Sequence, residues 1–136
     1  MNAEVRLQKL LQNMEPRLED ETYTFCLLDE ERARSLWQDC LCLFREREGV
    51  SVILPQSVAE REELEASGSF CQITLRVYSS LEAAGLTAAI ASELASAGIS
   101  ANVVAALRHD HVFVPRDSAQ EALQILRGAS NRAQYS

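Results

Sequence analysis

Residues Ser69 to Pro115 constrain the fold more than any other stretch of the chain. A β-type run comes first. A small-residue turn, an Ala-rich helix, a second β run, a polar turn and a third β run follow. Gly85 stands near the helix start and Gly98 at its end. The order is β–α–β–β in one short unit. It contains no catalytic signature.

Each piece has a local cause. Phe70–Val77 alternates Phe70, Gln72, Thr74 and Arg76 with Cys71, Ile73, Leu75 and Val77, a period of two that predicts a strand with one buried face. Tyr78–Ala84 reads as the turn. The helix is predicted over Ala84–Ala97, where Leu86, Ile90, Leu94 and Ala97 make one narrow apolar stripe. Gly98 suits the position just past the helix end, where the left-handed conformation costs glycine little. Ser100–Leu107 and His111–Pro115 form a predicted hairpin joined near Arg108–Asp110. A last helix over Ala119–Leu126 follows Ser118, with Glu121 three residues on as a capping box. Asn131–Ser136 reads as a frayed tail.

The first half carries weaker signals. A helix near residues 3–13 turns Leu7, Leu10, Leu11 and Met14 to one side and stops before Pro16. The polar stretch Glu19–Glu21 leads into a strand at Tyr23–Leu28. Asp29–Trp37 is a short helix with Leu36 and Trp37 as its apolar anchors. Cys40–Glu46 and Val50–Leu54 are strands, and Arg47, Glu48 and Gly49 make a hairpin turn in which Gly49 supplies a positive φ. Pro55 ends the strand. Gln56–Leu64 is a charged helix, and Glu65–Ser69 links the halves.

Both halves therefore run strand, helix, strand, turn, strand, helix. This is a structural repeat without obvious sequence identity. The expected fold class is α+β: two tandem ferredoxin-like βαββα(β) subdomains with an N-terminal helix packed on the sheets. The expected halves are residues 1–66, helix plus first subdomain, and 67–136, the second. The second half ends too early to supply its own fourth strand. The two units are expected to interlock, Phe70–Val77 serving the first unit and Tyr23–Leu28, or a strand from another chain, filling the gap in the second.

Charge narrows the partners. The chain of 136 residues carries a net charge of −7, which argues against nucleic acid, whose phosphates favour Lys/Arg-rich surfaces. All of the acidic excess lies in residues 1–66; the rest holds as many basic as acidic side chains. No segment approaches the roughly 18–20 apolar residues that cross a bilayer, and the N-terminus lacks the continuous apolar run of a signal peptide. A cytoplasmic location with no membrane partner is the expectation. Cys26, Cys40, Cys42 and Cys71 all fall in predicted strands among apolar neighbours, as buried reduced thiols do.

Several stretches resemble the ACT family of small-molecule regulatory domains. Ser79–Ala88 looks like the family's strand-to-helix turn, in which a glycine opens the helix. Ser96–Val103 looks like its helix-to-strand passage. Arg108–Val114 sits where related domains turn into their third strand. More narrowly, Phe44–Val50, Ser80–Ala88 and His109–Pro115 resemble a group of mostly bacterial proteins built from tandem ACT-like units. The chain is more distantly similar to arginine-sensing proteins and to the regulatory tails of aspartate kinases. The resemblance implies binding of an amino acid or other small ligand at the seam between paired ACT units. One departure is Ala84, which stands where the family often has proline.

The candidate ligand-binding residues follow. Ser79, Ser80, Leu81, Glu82, Gly85 and Leu86 form a helix entry whose unpaired backbone N–H groups suit a carboxylate; equally, Ser79 or Ser80 is simply a cap. Glu48 beside Gly49, and Asp110, are candidates for an ammonium group, each at a hairpin turn at the same place in its own half. A solvated turn carboxylate is the alternative. Asn102, in a strand, offers directional hydrogen bonds from a half-buried position. His109 and His111 share a strand face, which suits a shared metal such as zinc or nickel, contact with a small ligand, or a structural turn. Spacing shows no obvious third ligand, though Asp110 contributes one if the turn redirects it, and no metal and no cofactor is assigned. The cysteines lie where a thiolate is disfavoured, so no catalytic residue is assigned.

The expected function is a non-catalytic regulatory protein that binds a small molecule, an amino acid, and passes the event on by population shift. The alternative is a structural or interaction module that dimerises through its sheet edges. A metal-binding protein built on the histidine pair is the third reading.

Overall fold

A computed structural model describes residues 3–76 and 85–135. Helix α1 (Ala3–Gln12) is followed by strand β1 (Arg17–Leu28), helix α2 (Glu30–Ser35) and a single 3-10 turn at Trp37–Asp39. Strands β2 (Cys42–Arg45) and β3 (Val50–Pro55), helix α3 (Gln56–Arg61) and strand β4 (Ser67–Arg76) complete the first half. Helix α4 (Leu86–Ser96), strands β5 (Asn102–Ala105) and β6 (His109–Pro115), a 3-10 turn at Arg116–Ser118 and helix α5 (Ala119–Gln134) follow. The class is α+β with antiparallel strands, as expected from the sequence.

The chain divides into two compact units. The first is Asp20–Phe70; the second combines Met1–Glu19 with Cys71–Ser136. The long strands β1 and β4 each divide between them, so each unit holds a piece of both.

In the first unit β3 lies between β2 and β1, antiparallel to both. Val50, Val52 and Leu54 alternate along β3 and are buried with Cys26 and Leu28 of β1 against Ala33, Leu36, Val58 and Ala59 of the helices. Asp29 caps α2, its Oδ1 accepting the Arg32 backbone N–H at 2.7 Å. The buried Thr24 hydroxyl donates to the Gly68 carbonyl at 2.7 Å, which holds the start of β4 in this unit. Phe25 and Phe70 meet edge to face, ring centroids 5.0 Å apart.

In the second unit Ile73 and Leu75 of β4 and Val112 and Val114 of β6 form the sheet face of a core. Leu86, Ile90 and Leu94 of α4 and Ala122, Leu123 and Leu126 of α5 close it. Burying each leucine or isoleucine is worth about 1.5–3 kcal/mol, so the spacing of four on α4 is what docks that helix. Helix α1 sits against α5 and α4. Leu7, Leu10 and Leu11 pack against the core.

Several expectations are corrected. Strand β1 starts at Arg17, so Glu19–Glu21 is strand, not a polar lead-in. Strand β4 starts at Ser67, inside the stretch read as a link. Both extensions are polar, and pairing rather than composition makes them strands. Cys40 precedes β2 instead of lying in it. Trp37 does not anchor α2: Leu36 is buried, but Trp37 is 65% exposed. Ala97 is exposed, so the α4 stripe ends at Leu94. Ser118 makes no side-chain cap bond; a 3-10 turn enters α5 instead. The predicted frayed tail is helix through Gln134, with Ala133 buried. Gln8 and Gln12 donate to the Ala133 carbonyl at 2.9 and 2.8 Å, and Ser130 donates to the Gln12 carbonyl. Gly98 has φ +73 just past α4, as predicted.

Candidate functional site

The two hairpins are copies of one design. β2 pairs with β3 as Cys42↔Ile53, Leu43↔Val52, Phe44↔Ser51 and Arg45↔Val50. β5 pairs with β6 as Asn102↔Phe113, Val103↔Val112, Val104↔His111 and Ala105↔Asp110, each residue sixty positions beyond its counterpart. Val50–Pro55 and Asp110–Pro115 share one burial pattern along the strand. The turns close alike: Glu46 N–H donates to the Gly49 carbonyl at 2.7 Å, and Ala106 N–H to the His109 carbonyl at 3.0 Å. Glu48 therefore corresponds to Arg108, and Asp110 to Val50. The expectation that Glu48 and Asp110 occupy the same place in their halves is corrected by this register.

A groove of about 320 Å³ opens in the first unit between α2 and the β2–β3 hairpin. Glu30, Ala33, Arg34 and Trp37 line one side. Glu30, Ala33 and Arg34, three and four apart, share one face of α2, and Trp37 follows in the 3-10 turn. Leu43, Arg45 and Val50 line the other. Leu43 and Arg45 are two apart on β2 and so share a face, and Val50 stands opposite Arg45. Ala33, Leu43 and Val50 make an apolar floor, and the exposed Trp37 indole makes a wall.

The charges are asymmetric. Arg34 Nη2 binds Glu30 Oε1 at 2.7 Å, one turn away on α2. Both side chains are exposed, and such a pair is worth only about 0.3–0.5 kcal/mol. Arg45 is exposed, and among the described residues no carboxylate pairs with it. The groove thus offers one uncommitted guanidinium beside apolar walls, in a chain whose net charge is −7.

The residues singled out from sequence fall in several places. Glu48 is exposed in the β2–β3 turn, with Gly49 beside it, next to the groove residues Arg45 and Val50. Ser79, Ser80, Leu81 and Glu82 lie outside the described residues. Gly85 is exposed, with φ +97, at the N-cap of α4. Leu86 is buried in the core of the second unit. Asn102 is exposed rather than half-buried. His109 is exposed, Asp110 buried and His111 half-buried.

Around the histidines, Gln72 Nε2 lies 2.8 Å from His111 Nδ1. A donating amide there leaves the proton of a neutral imidazole on Nε2. Burial, and then the charge of His109, push the His111 pKa down, while Asp110 and Glu19 oppose. Burial pushes the Asp110 carboxyl up, with His111 opposing. The two imidazole centroids are 6.2 Å apart. Among the described residues no group of three or more His, Cys, Asp or Glu is placed to hold a metal ion. Cys26 and Cys40 are free, and burial raises both thiols, which keeps them protonated and poorly nucleophilic.

Trp37, Arg34 and Arg45 were not among the sequence candidates. The i, i+3, i+4, i+7 pattern of Glu30, Ala33, Arg34 and Trp37 was legible. What faced it was not, because the β2–β3 register decides that.

Comparison with known proteins gives the frame. ACT domain families match residues 2–71 and 69–128. A Vibrio cholerae protein of unknown function, described as a possible transport protein, is 43% identical, covers 95% of this chain and 99% of its own, and superposes with a TM-score of 0.83. An Agrobacterium tumefaciens protein is 17% identical over 87% of this chain and 90% of its own, with a TM-score of 0.69. The regulatory subunit of aspartate kinase from Thermus thermophilus is 11% identical over 86% and 98%, with a TM-score of 0.60, a likeness of fold. No curated protein matches the chain. No described helix is long and apolar enough to cross a membrane. The chain belongs to the ACT domain family, with two ACT domains in tandem.

Proposed function

We propose that this protein is a non-catalytic regulatory module that binds a small molecule, an amino acid, in the first-unit groove. Binding favours one conformation of the chain over another, and the shift is read by a partner. The observation that carries the reading is the groove itself: a concave apolar surface with few polar groups, of the size at which small-ligand sites begin. Arg45 lies at its edge with no carboxylate partner among the described residues. Glu48 is exposed in the adjoining turn, outside the residues that line the groove. Free cysteines suit a reducing compartment, and we place the protein in the cytoplasm.

The test is a thermal-shift screen of the full chain against the twenty amino acids at millimolar concentration. A ligand present at about a hundred times its Kd adds about 2.7 kcal/mol, which raises the melting temperature by several degrees. No shift with any of them rejects the amino-acid reading.

A second reading has its own observation. Phe44 is 70% exposed and Leu27 56% exposed. Both pair with Ser51, so the three form one cross-strand row on the face opposite the groove. A dimer covering that row would make the chain an interaction module. Sedimentation that reports a monomer at tens of micromolar removes this reading.

A further inference from the structure

The geometry points to a single carboxylate-selective site in each chain: the first-unit groove takes an α-amino acid with an apolar side chain, Arg45 grips its carboxylate, and the second unit carries no second copy. This rests on the reading of the groove as a ligand site and adds the chemistry of the guest and the count.

The guest is defined by what is left over in the groove. Arg34 is neutralised by Glu30, whereas Arg45 has no carboxylate partner among the described residues. A guanidinium presents a planar fork of N–H donors that matches a carboxylate bidentately. Glu30 uses Oε1 for Arg34, and its Oε2 is left to accept from an ammonium group. Between these poles lie Ala33, Leu43 and Val50, which offer nothing polar to a side chain and reward an apolar one. Trp37, 65% exposed, has an uncovered ring face that an aromatic or branched body would cover. One uncommitted cation and about 320 Å³ suit a monocarboxylate and not a di- or triphosphate.

The repeat decides the count. At the register positions of Arg45 and Val50 the second unit carries Ala105 and Asp110. The cation is replaced by a methyl group, and an apolar floor residue by a carboxylate. A carboxylate ligand would meet no guanidinium there and would be repelled by Asp110 once that is ionised. Among the described residues the matching hairpin of the second unit thus offers no copy of this anion site.

Trp37 is the only tryptophan in the chain, so its emission reports this groove alone. The full chain is titrated at constant ionic strength with L-phenylalanine, L-leucine, 3-phenylpropionate and phenethylamine. Stoichiometry is read by calorimetry and stability by thermal shift. The expected result is a saturable change in Trp37 emission with L-phenylalanine or L-leucine at one equivalent per chain. Phenylpropionate binds more weakly, and phenethylamine, lacking the carboxylate, does not bind. Arg45→Gln weakens binding roughly 10–100-fold, the loss of a charged hydrogen-bonded contact, and Arg45→Lys recovers part of it. Arg45 is exposed, so both variants keep the wild-type melting temperature without ligand.

Three results overturn the inference while leaving the sensor reading intact. They are binding that ignores the carboxylate or Arg45→Gln, two equivalents per chain, and thermal stabilisation with unchanged Trp37 emission. Silence in emission, heat and melting temperature with all four probes overturns the inference, and the sensor reading falls with it only if the other amino acids are silent too.

Discussion

Arg45 and Ala105 occupy the same rung in two copies of one hairpin. Arg45 pairs with Val50 and Ala105 with Asp110, and both turns close through one backbone N–H to carbonyl bond. Backbone geometry is thus repeated while side-chain chemistry is not. The first unit puts a cation against an apolar neighbour; the second puts a methyl group against a buried carboxylate. Duplicated scaffolds with divergent sites are the usual relation between a fold and what it does.

Turn chemistry gives one prediction. Gly49 has φ +155, and a Cβ there would meet the Leu28 carbonyl oxygen at 2.8 Å. Gly98 has φ +73 with nothing within 4 Å of the corresponding position. Gly49→Ala therefore combines backbone strain with a clash and costs about 2–4 kcal/mol, whereas Gly98→Ala costs about 1–2 kcal/mol from conformation alone. Urea melts of the two variants check the order; equal losses would mean the hairpin relaxes freely.

The C-terminus gives another. Ala133 is buried, and its carbonyl accepts from both Gln8 and Gln12. Deleting residues 131–136 removes this anchor of α1. The expected loss is about 1–3 kcal/mol, from two hydrogen bonds and one small apolar contact. Amide exchange should also speed up in α1 more than in β3. A deletion with unchanged stability and exchange would show the last turn to be dispensable.

Asp110 and His111 give opposite pH dependences. Burial raises the Asp110 pKa, so the folded chain holds that proton more tightly than the unfolded one. Its contribution is full below about pH 4 and is lost as pH rises through the raised folded value. Burial lowers the His111 pKa, so its contribution is present above about pH 6.5 and lost as pH falls through the lower folded value. Asp110→Asn should be more stable than the parent chain at pH 7, with the margin shrinking toward pH 4. His111→Gln should flatten the loss of stability below pH 6.5. Denaturant melts from pH 4 to 8 test both, and parallel curves for all three proteins would contradict the assignment.

Legibility followed sequence distance. Helix α4 was read within two residues at each end because its stripe and Gly98 are neighbours in sequence. The Gly49 turn was read for the same reason. Trp37 was misread as a helix anchor, since whether an indole is covered depends on β2, not on its own turn. Glu48 and Asp110 were equated by their place near a turn, but strand register is set by pairing and a small slip changes every partner.

Periodicity and steric freedom at glycine act over a few residues, and from them the order of elements and the repeat could be read in the chain alone; the ACT likeness came from the resemblance of short stretches such as Ser96–Val103 to that family. The tertiary structure alone decided the lengths of β1, β4 and α5, the sixty-residue register of the hairpins and the groove. The reason is reach: the bonds from Gln8 and Gln12 to Ala133 span 125 and 121 residues, and Thr24 meets Gly68 across 44. No local pattern encodes a partner that far along the chain.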